Sequence, residues 1–330
     1  MRLLVTLLCL LSSLSFAKAP DLPKSFDSLG PTVQSVAKGD RTLHYIDDGE
    51  GRPVLFLAGL GTSVRAIRLL DFLESFRTDL GLRFISVERN GLGQTVFDPQ
   101  LTIVDYVSDA EFVLDYLGVD TFAVFAISGG GIYAGHLVPA MGHRVTSIHM
   151  AVTAPNVSNP DRCLANDAAR GYSAVVAKPM EYFYLSDQAL RDVGGLQDTA
   201  FDEAARAANM RGQQGDATAV LHEIERFCIE PVASSETVNA PLFVYLGAED
   251  SITNSGPVDA WMQTFPNSSG TLRIYADEGH TVQYRHLDQI LLDLAGLGDK
   301  VVVCKDGESK LIQHQGDIQP TDAGLCAWYD

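Results

Sequence analysis

Residues 121–138 read Thr-Phe-Ala-Val-Phe-Ala-Ile-Ser-Gly-Gly-Gly-Ile-Tyr-Ala-Gly-His-Leu-Val, and they restrict the fold more tightly than any other stretch. The first six are apolar or β-favouring and suit a buried strand, while residues 131–138 suit a helix packed through small side chains. Between them, Ala126-Ile-Ser-Gly-Gly130 must reverse from strand into helix with Ser128 at the apex. Such a turn is strained, carries the hydroxyl clear of the backbone, and needs small residues two positions to either side of the serine. Gly130 meets that need on the trailing side, and Ala126 stands where a glycine is usual on the leading side. The competing reading is an ordinary glycine-rich turn between a strand and a helix.

The flanking sequence repeats the strand–helix alternation. Residues 32–37 and 41–46 read as a hairpin around Lys38-Gly39-Asp40, and 54–58 as a buried strand running into Gly59-Leu60-Gly61-Thr62-Ser63. A helix is expected over 64–80, a strand over 83–87 ending in Glu88-Arg89-Asn90-Gly91-Leu92-Gly93, an amphipathic helix with Asp105, Asp109 and Glu111 outside over 102–117, and a strand over 145–150. Alternation at this interval implies βαβ units, hence an α/β fold with a mostly parallel central sheet covered by helices on both faces.

The alternation then stops. Residues 154–236 read as a helical insertion, with helices expected at 165–177, 199–210 and 218–227, lying over one end of the sheet. Strands resume at 241–247 and 271–276, and one closing helix is expected over 281–294. The core is thus residues 18–153 and 237–298, with an appendage at 299–330 holding a short strand at 301–303.

The first 17 residues carry one arginine, an apolar run too short to span a bilayer, and the small residues Ser15 and Ala17 at the end. They read as a cleavable signal peptide, which predicts a secreted or periplasmic protein with no integral membrane segment after cleavage. Cleavage removes Cys9 and leaves Cys163, Cys228, Cys304 and Cys326. Four cysteines in an exported chain suit two disulfides, for which three pairings exist. Cys163–Cys228 and Cys304–Cys326 are preferred, because each pair falls inside one structural unit. No Cys-x-x-Cys occurs, which argues against a metal site, and no cofactor motif appears; no Gly-x-Gly-x-x-Gly follows the first central strand. The net charge of −18 repels phosphate backbones, so nucleic acid is not an expected partner.

A serine hydroxyl needs a base to become nucleophilic at neutral pH, usually a histidine oriented by a carboxylate. Of the eight histidines, His44 and His149 fall in strands, His136 on the helix after Ser128, His143 in a turn, His222 and His286 in helical segments, and His314 in the appendage. His280 alone follows directly on a terminal strand, where a loop can bring it over the carboxyl edge of the sheet. Asp250, three residues beyond the glycine ending the 241–247 strand, has room to turn back toward it; Glu249 is the fallback. Ser128, Asp250 and His280 then stand in the chain order Ser…Asp…His expected on this architecture. An oxyanion needs two backbone N–H groups; Gly129 supplies one, and Leu60 is the candidate for the other.

With these pieces in place, the chain resembles the alpha/beta-hydrolase superfamily in its capped branch. The resemblance lies in Leu57-Ala-Gly-Leu-Gly-Thr62, Glu88-Arg-Asn-Gly-Leu-Gly93, Ala126-Ile-Ser-Gly-Gly130, Gly247-Ala-Glu-Asp250 and Glu278-Gly-His280. It departs from the pattern at Ala126 and at Ala58, where a histidine often precedes the oxyanion glycine; neither change removes a catalytic group. A serine nucleophile, instead of an aspartate, argues against dehalogenase and epoxide hydrolase chemistry.

The resemblance implies a serine hydrolase acting on a small-molecule ester or amide, foremost a carboxylic ester, with the insertion closing over the acyl pocket. Transfer of the acyl group to an alcohol would use the same acyl-enzyme. A second expectation is an aminopeptidase of the proline-iminopeptidase type, for which Glu181, Glu203, Glu223, Glu225 and Glu230 could hold a substrate ammonium, although acids on helices are usually solvated faces. The third is a non-catalytic binding protein on the same fold. Asn156-Val-Ser158 and Asn267-Ser-Ser269 match the N-glycosylation pattern.

Overall fold

The computed structural model describes residues 21–23, 32–156, 184–209, 218–253 and 257–329. The expected signal peptide, Cys163, Glu181 and the helix expected at 165–177 lie outside the described residues.

Strands β1 (Gln34–Lys38) and β2 (Arg41–Asp48) form the expected hairpin, with Lys38 paired to Arg41 across the turn. Next come β3 (Arg52–Leu57), a 3₁₀ segment (Val64–Leu73) leading into α1 (Glu74–Asp79), then β4 (Leu82–Val87), α2 (Ile103–Tyr116), β5 (Phe122–Ile127), α3 (Gly130–Met141) and β6 (Val145–Ala151). In the insertion, α4 (Gln188–Asp192), α5 (Leu196–Asn209) and α6 (Thr218–Ile229) are described. The core resumes with β7 (Leu242–Gly247), α7 (Ala260–Thr264), β8 (Gly270–Tyr275), α8 (Val282–Arg285) and α9 (Leu287–Leu294), and β9 (Lys300–Lys305) with β10 (Glu308–Gln313) form a second, two-stranded sheet.

The main sheet has eight strands in the order β1-β2-β4-β3-β5-β6-β7-β8. β2 runs antiparallel to β4, and every neighbour from β4 to β8 is parallel. β5 lies near the middle and all six of its residues are buried. Side chains alternate across a strand, so Ala123, Phe125 and Ile127 join the core on one face while Phe122, Val124 and Ala126 join the core on the other. On the first face the 3₁₀ segment, α9 and the Leu196 and Ala200 side chains of α5 pack together; on the second lie α2, α3 and the Trp261 and Phe265 rings around α7. Burying one such phenylalanine contributes roughly 1.5–3 kcal/mol. α2 shows the cause of its amphipathicity: Ile103, Tyr106, Val107, Ala110, Val113 and Leu114 share one stripe. Its start is set by a capping box between Thr102 and Asp105.

Four expectations need correction. The helix expected at 64–80 begins as the 3₁₀ segment before becoming helical at Glu74. The closing helix breaks at His286, which adopts φ −122° and ψ 31° while its ring stacks on Tyr275 at 3.6 Å. Asp109 is not on the outer face: it is buried and pairs with Lys38 at 2.7 Å and with Arg41, tying the β1–β2 hairpin to α2. The appendage is a hairpin, not a single strand, and Cys304–Cys326 closes it with a Cα–Cα distance of 4.7 Å. Beyond the hairpin, the Ile274 N–H donates to Asp317 O at 2.7 Å and the Gln319 N–H to Ile274 O at 2.9 Å, so the tail pairs with the free edge of β8.

Candidate active site

Ser128 sits between β5 and α3 with φ +50°, a backbone region that L-residues other than glycine seldom occupy. The turn is held on both sides, because the Ser128 N–H donates to Ala151 O at 3.1 Å and the Gly131 N–H to Ser128 O at 3.0 Å. The small-residue requirement has a direct cause here. A Cβ on Gly130 would stand 2.1 Å from Leu57 O, so α3 can start against β3 only with glycine at that position. On the leading side Ala126 is fully buried and its methyl group is accommodated in the second-face core.

Asp250 and His280 leave the carboxyl ends of β7 and β8. Their loops abut at Gly247, where a Cβ would come within 2.3 Å of Glu278 O and 2.4 Å of Gly279 O. Across this junction His280 Nδ1 lies 2.9 Å from Asp250 Oδ2, and His280 Nε2 lies 3.1 Å from Ser128 Oγ. The Asp250 carboxylate also accepts from the Ile252 N–H at 2.8 Å, from the Thr253 N–H at 3.2 Å and from the Thr253 hydroxyl. Burial opposes its charge, but the His280 hydrogen bond and charge, with the Thr253 and Ile252 donors, outweigh burial and hold the carboxyl below the usual range. Asp250 is thus an ionised acceptor facing His280, and the fallback Glu249 is an exposed neighbour. The His280 loop is itself braced by Glu278, which pairs with Arg285 at 3.4 Å and faces His286 at 3.5 Å.

The loop after β3 comes up beside the serine. A Cβ on Gly59 would lie 3.6 Å from Ser128 Cβ, and one on Gly129 would lie 2.8 Å from the Leu60 nitrogen. The two candidate oxyanion donors, Leu60 and Gly129, are therefore adjacent. From 61 to 64 every amide of this loop is engaged: Gly61 with Glu223 Oε2 at 2.7 Å, Thr62 with Gly59 O at 3.3 Å, Ser63 with Glu203, and Val64 with Glu88 Oε1 at 3.0 Å. The Leu60 and Gly129 N–H groups donate to no acceptor among the described residues.

Two of these carboxylates come from the insertion, and sequence reasoning gave them a different place. Glu203 and Glu223 are 1% and 4% exposed, so neither belongs to a solvated helix face. Glu223 also pairs with the buried Arg89 at 2.7 Å, and Arg89 Nη2 donates to Gly59 O and to Thr62 O, each at 2.6 Å. Burial weakens the charge on Arg89, but Glu223 and its other neighbours more than offset this, and the guanidinium stays protonated. Burial pushes the Glu203 carboxyl up to about 8, and the neighbouring Glu88 adds to the rise; Glu88 itself is pushed up to about 7, chiefly by burial. Arg89 was visible only as part of a glycine-rich loop, since nothing local tells that its side chain reaches the loop after β3 and Glu223. Glu225 is mostly exposed beside Arg226, and Glu230 accepts from the Ile103 N–H at 3.1 Å.

Among the described residues no group of three or more His, Cys, Asp or Glu side chains could hold a metal, and no helix is long and apolar enough to cross a membrane. Cys228 is disulfide-bonded. No family model matches the chain, and no curated protein matches it. Solved structures do. An alpha/beta hydrolase fold protein from Nakamurella multipartita is 19% identical, with a TM-score of 0.57 over 81% of this chain and 98% of its own. The enol-lactonase from Burkholderia xenovorans LB400 is 16% identical, with a TM-score of 0.61 over 80% of this chain and 99% of its own. An esterase from Exiguobacterium antarcticum is 17% identical, with a TM-score of 0.60 over 81% of this chain and 98% of its own. Strand order, the sharp turn at Ser128 and these similarities lead to one conclusion: the chain has the alpha/beta-hydrolase fold.

Proposed function

We propose that this protein is a serine hydrolase that cleaves a carboxylic ester through an acyl-enzyme. The observation that carries the reading is the continuous relay from Asp250 Oδ2 through His280 to Ser128 Oγ, at 2.9 and 3.1 Å. In this reading the His280 Nδ1–H donates to the ionised Asp250 carboxylate, which fixes the tautomer and leaves Nε2 without a proton and facing the serine. Nε2 takes the hydroxyl proton as Ser128 Oγ attacks the carbonyl carbon, and the Leu60 and Gly129 amides receive the developing oxyanion. His280 returns the proton to the leaving alcohol. Water, deprotonated by the same histidine, then attacks the acyl carbon; the bond to Ser128 Oγ breaks, His280 returns the proton to that oxygen, and the acid leaves. An enol-lactonase and an esterase share the fold, which agrees with ester chemistry.

The aminopeptidase alternative is disfavoured by the insertion carboxylates. Glu203 and Glu223 already serve Ser63, Gly61 and Arg89, so neither is available for a substrate ammonium. Secretion or passage to a periplasm fits the leader-like first 17 residues and the Cys304–Cys326 disulfide.

The test is labelling with a fluorophosphonate probe, with the adduct mapped by mass spectrometry and Ser128→Ala as control. Labelling at Ser128 that disappears in the control, with turnover of short acyl esters ahead of aminoacyl amides, is the expected result. No labelling of folded protein would move the non-catalytic binding reading into first place.

A further inference from the structure

We infer that Glu223, on the insertion, is a positioning residue that fixes the Leu60 amide in the oxyanion site, so that the insertion is a working part of the acyl-transfer machinery and not only a cover. The inference rests on the serine-hydrolase reading above.

Leu60 lies between two peptide planes, and each is pinned. A trans peptide is planar, with its C=O and N–H pointing in opposite directions. Holding Gly59 O therefore fixes the direction of the Leu60 N–H. Arg89 Nη2 holds that oxygen at 2.6 Å, and the Thr62 hydroxyl donates to it at 2.6 Å. The following plane ends in the Gly61 N–H, which donates to Glu223 Oε2 at 2.7 Å. The other carboxylate oxygen, Oε1, faces Arg89 Nη1 at 2.7 Å. One side chain thus sets the plane after Leu60 directly and the plane before it through Arg89. Both charges are buried and act at short range in a poorly solvated setting, where such an arrangement is stiff. The same helix seals the contact from above, since a Cβ on Gly61 would lie 3.2 Å from the Val220 methyl group.

The test compares Glu223→Gln, Glu223→Ala and the exposed control Glu225→Gln in the full-length protein. Glutamine keeps an acceptor for the Gly61 N–H but not the ion pair with Arg89; alanine loses both. Loss of a single oxyanion donor slows catalysis about 10²–10³-fold. The expected outcome is graded: roughly 10-fold slower fluorophosphonate acylation and kcat for glutamine and about 100-fold for alanine, with KM moving less than about 3-fold. Affinity for a trifluoromethyl ketone, which forms a tetrahedral adduct on the serine, should fall in step with kcat/KM. Glu225→Gln should match the wild type. Two results would overturn the inference: folded variants that acylate at the wild-type rate, or slowed variants whose ketone affinity does not follow. If Glu223→Ala does not fold, Glu223→Gln decides alone. If the wild type itself fails to label at Ser128, the serine-hydrolase reading has failed and takes this inference with it, an outcome distinct from slow variants of a reactive parent.

Discussion

Gly130 and Leu57 approach each other so closely that a methyl group on the glycine would meet the leucine carbonyl oxygen at 2.1 Å and the Ala58 carbonyl at 2.7 Å. Both obstacles are backbone atoms, which cannot rotate aside. Gly130→Ala is expected to lower stability by at least about 2 kcal/mol and to displace the serine. Ala126→Gly, on the other side of the turn, is expected to cost only about 1 kcal/mol and to keep activity, because it removes one buried methyl group without changing the turn. Thermal melts and ester turnover of the two variants give the comparison.

Asp250→Asn should leave the loop in place while presenting His280 with the wrong tautomer. A fall in kcat of about 10³–10⁴-fold with little change in melting temperature is expected. Thr253→Val removes the hydroxyl that donates to Asp250 Oδ2 and should have a smaller effect in the same direction. Steady-state kinetics on a chromogenic ester, beside circular dichroism, distinguish a kinetic defect from unfolding.

The stability contributed by three buried carboxyls should decline as pH rises from about 5 to 9. Glu203 is pushed up to about 8, and Glu88 and Asp288 each to about 7, mainly by burial. A carboxyl whose pKa is raised by folding binds more protons in the native state, so its contribution weakens between the unfolded and folded pKa values and stays weak above the higher one. Glu203→Gln removes one such group. Its melting temperature should therefore fall less between pH 5 and pH 9 than that of the wild type, as scanning calorimetry in matched buffers would reveal; parallel slopes would mean that Glu203 is ionised throughout.

The Cys304–Cys326 disulfide closes a separation of 22 residues. A loop of that size contributes about 3 kcal/mol. The double variant Cys304→Ala/Cys326→Ala is expected to melt several degrees below the wild type. Trp328, packed edge-on against Phe72 at 5.5 Å, should become exposed early in the transition, and tryptophan emission reports that directly.

Sequence periodicity captured what is local and repetitive. The all-apolar run of β5, the stripe on α2 and the glycines around Ser128 each follow from short-range rules, whereas the order of Ser128, Asp250 and His280 was an expectation of the architecture, and the structure brings the three side chains within hydrogen-bond distance. What escaped was set by distant partners. His286 interrupts a periodic helix where its ring stacks on Tyr275, a contact that no local pattern encodes. Glu203 and Glu223 look like ordinary surface acids on amphipathic helices; their burial depends on loop amides about 140 and 162 positions away. The second strand of the tail was hidden in Glu308–Gln313, a polar run whose partner is its neighbour and not the main core.

The pairing of residues 317–319 with β8 also bears on how the chain is made. These residues are synthesised after β8, and until they arrive the β8 edge offers unpaired N–H and C=O groups along a parallel strand. Such an edge is a template for association with other chains. The pairing segment therefore acts in time as well as in space: it covers the sheet edge only after β8 has been made, and chains cut short before residue 317 should aggregate, however well Ser128, Asp250 and His280 are preserved.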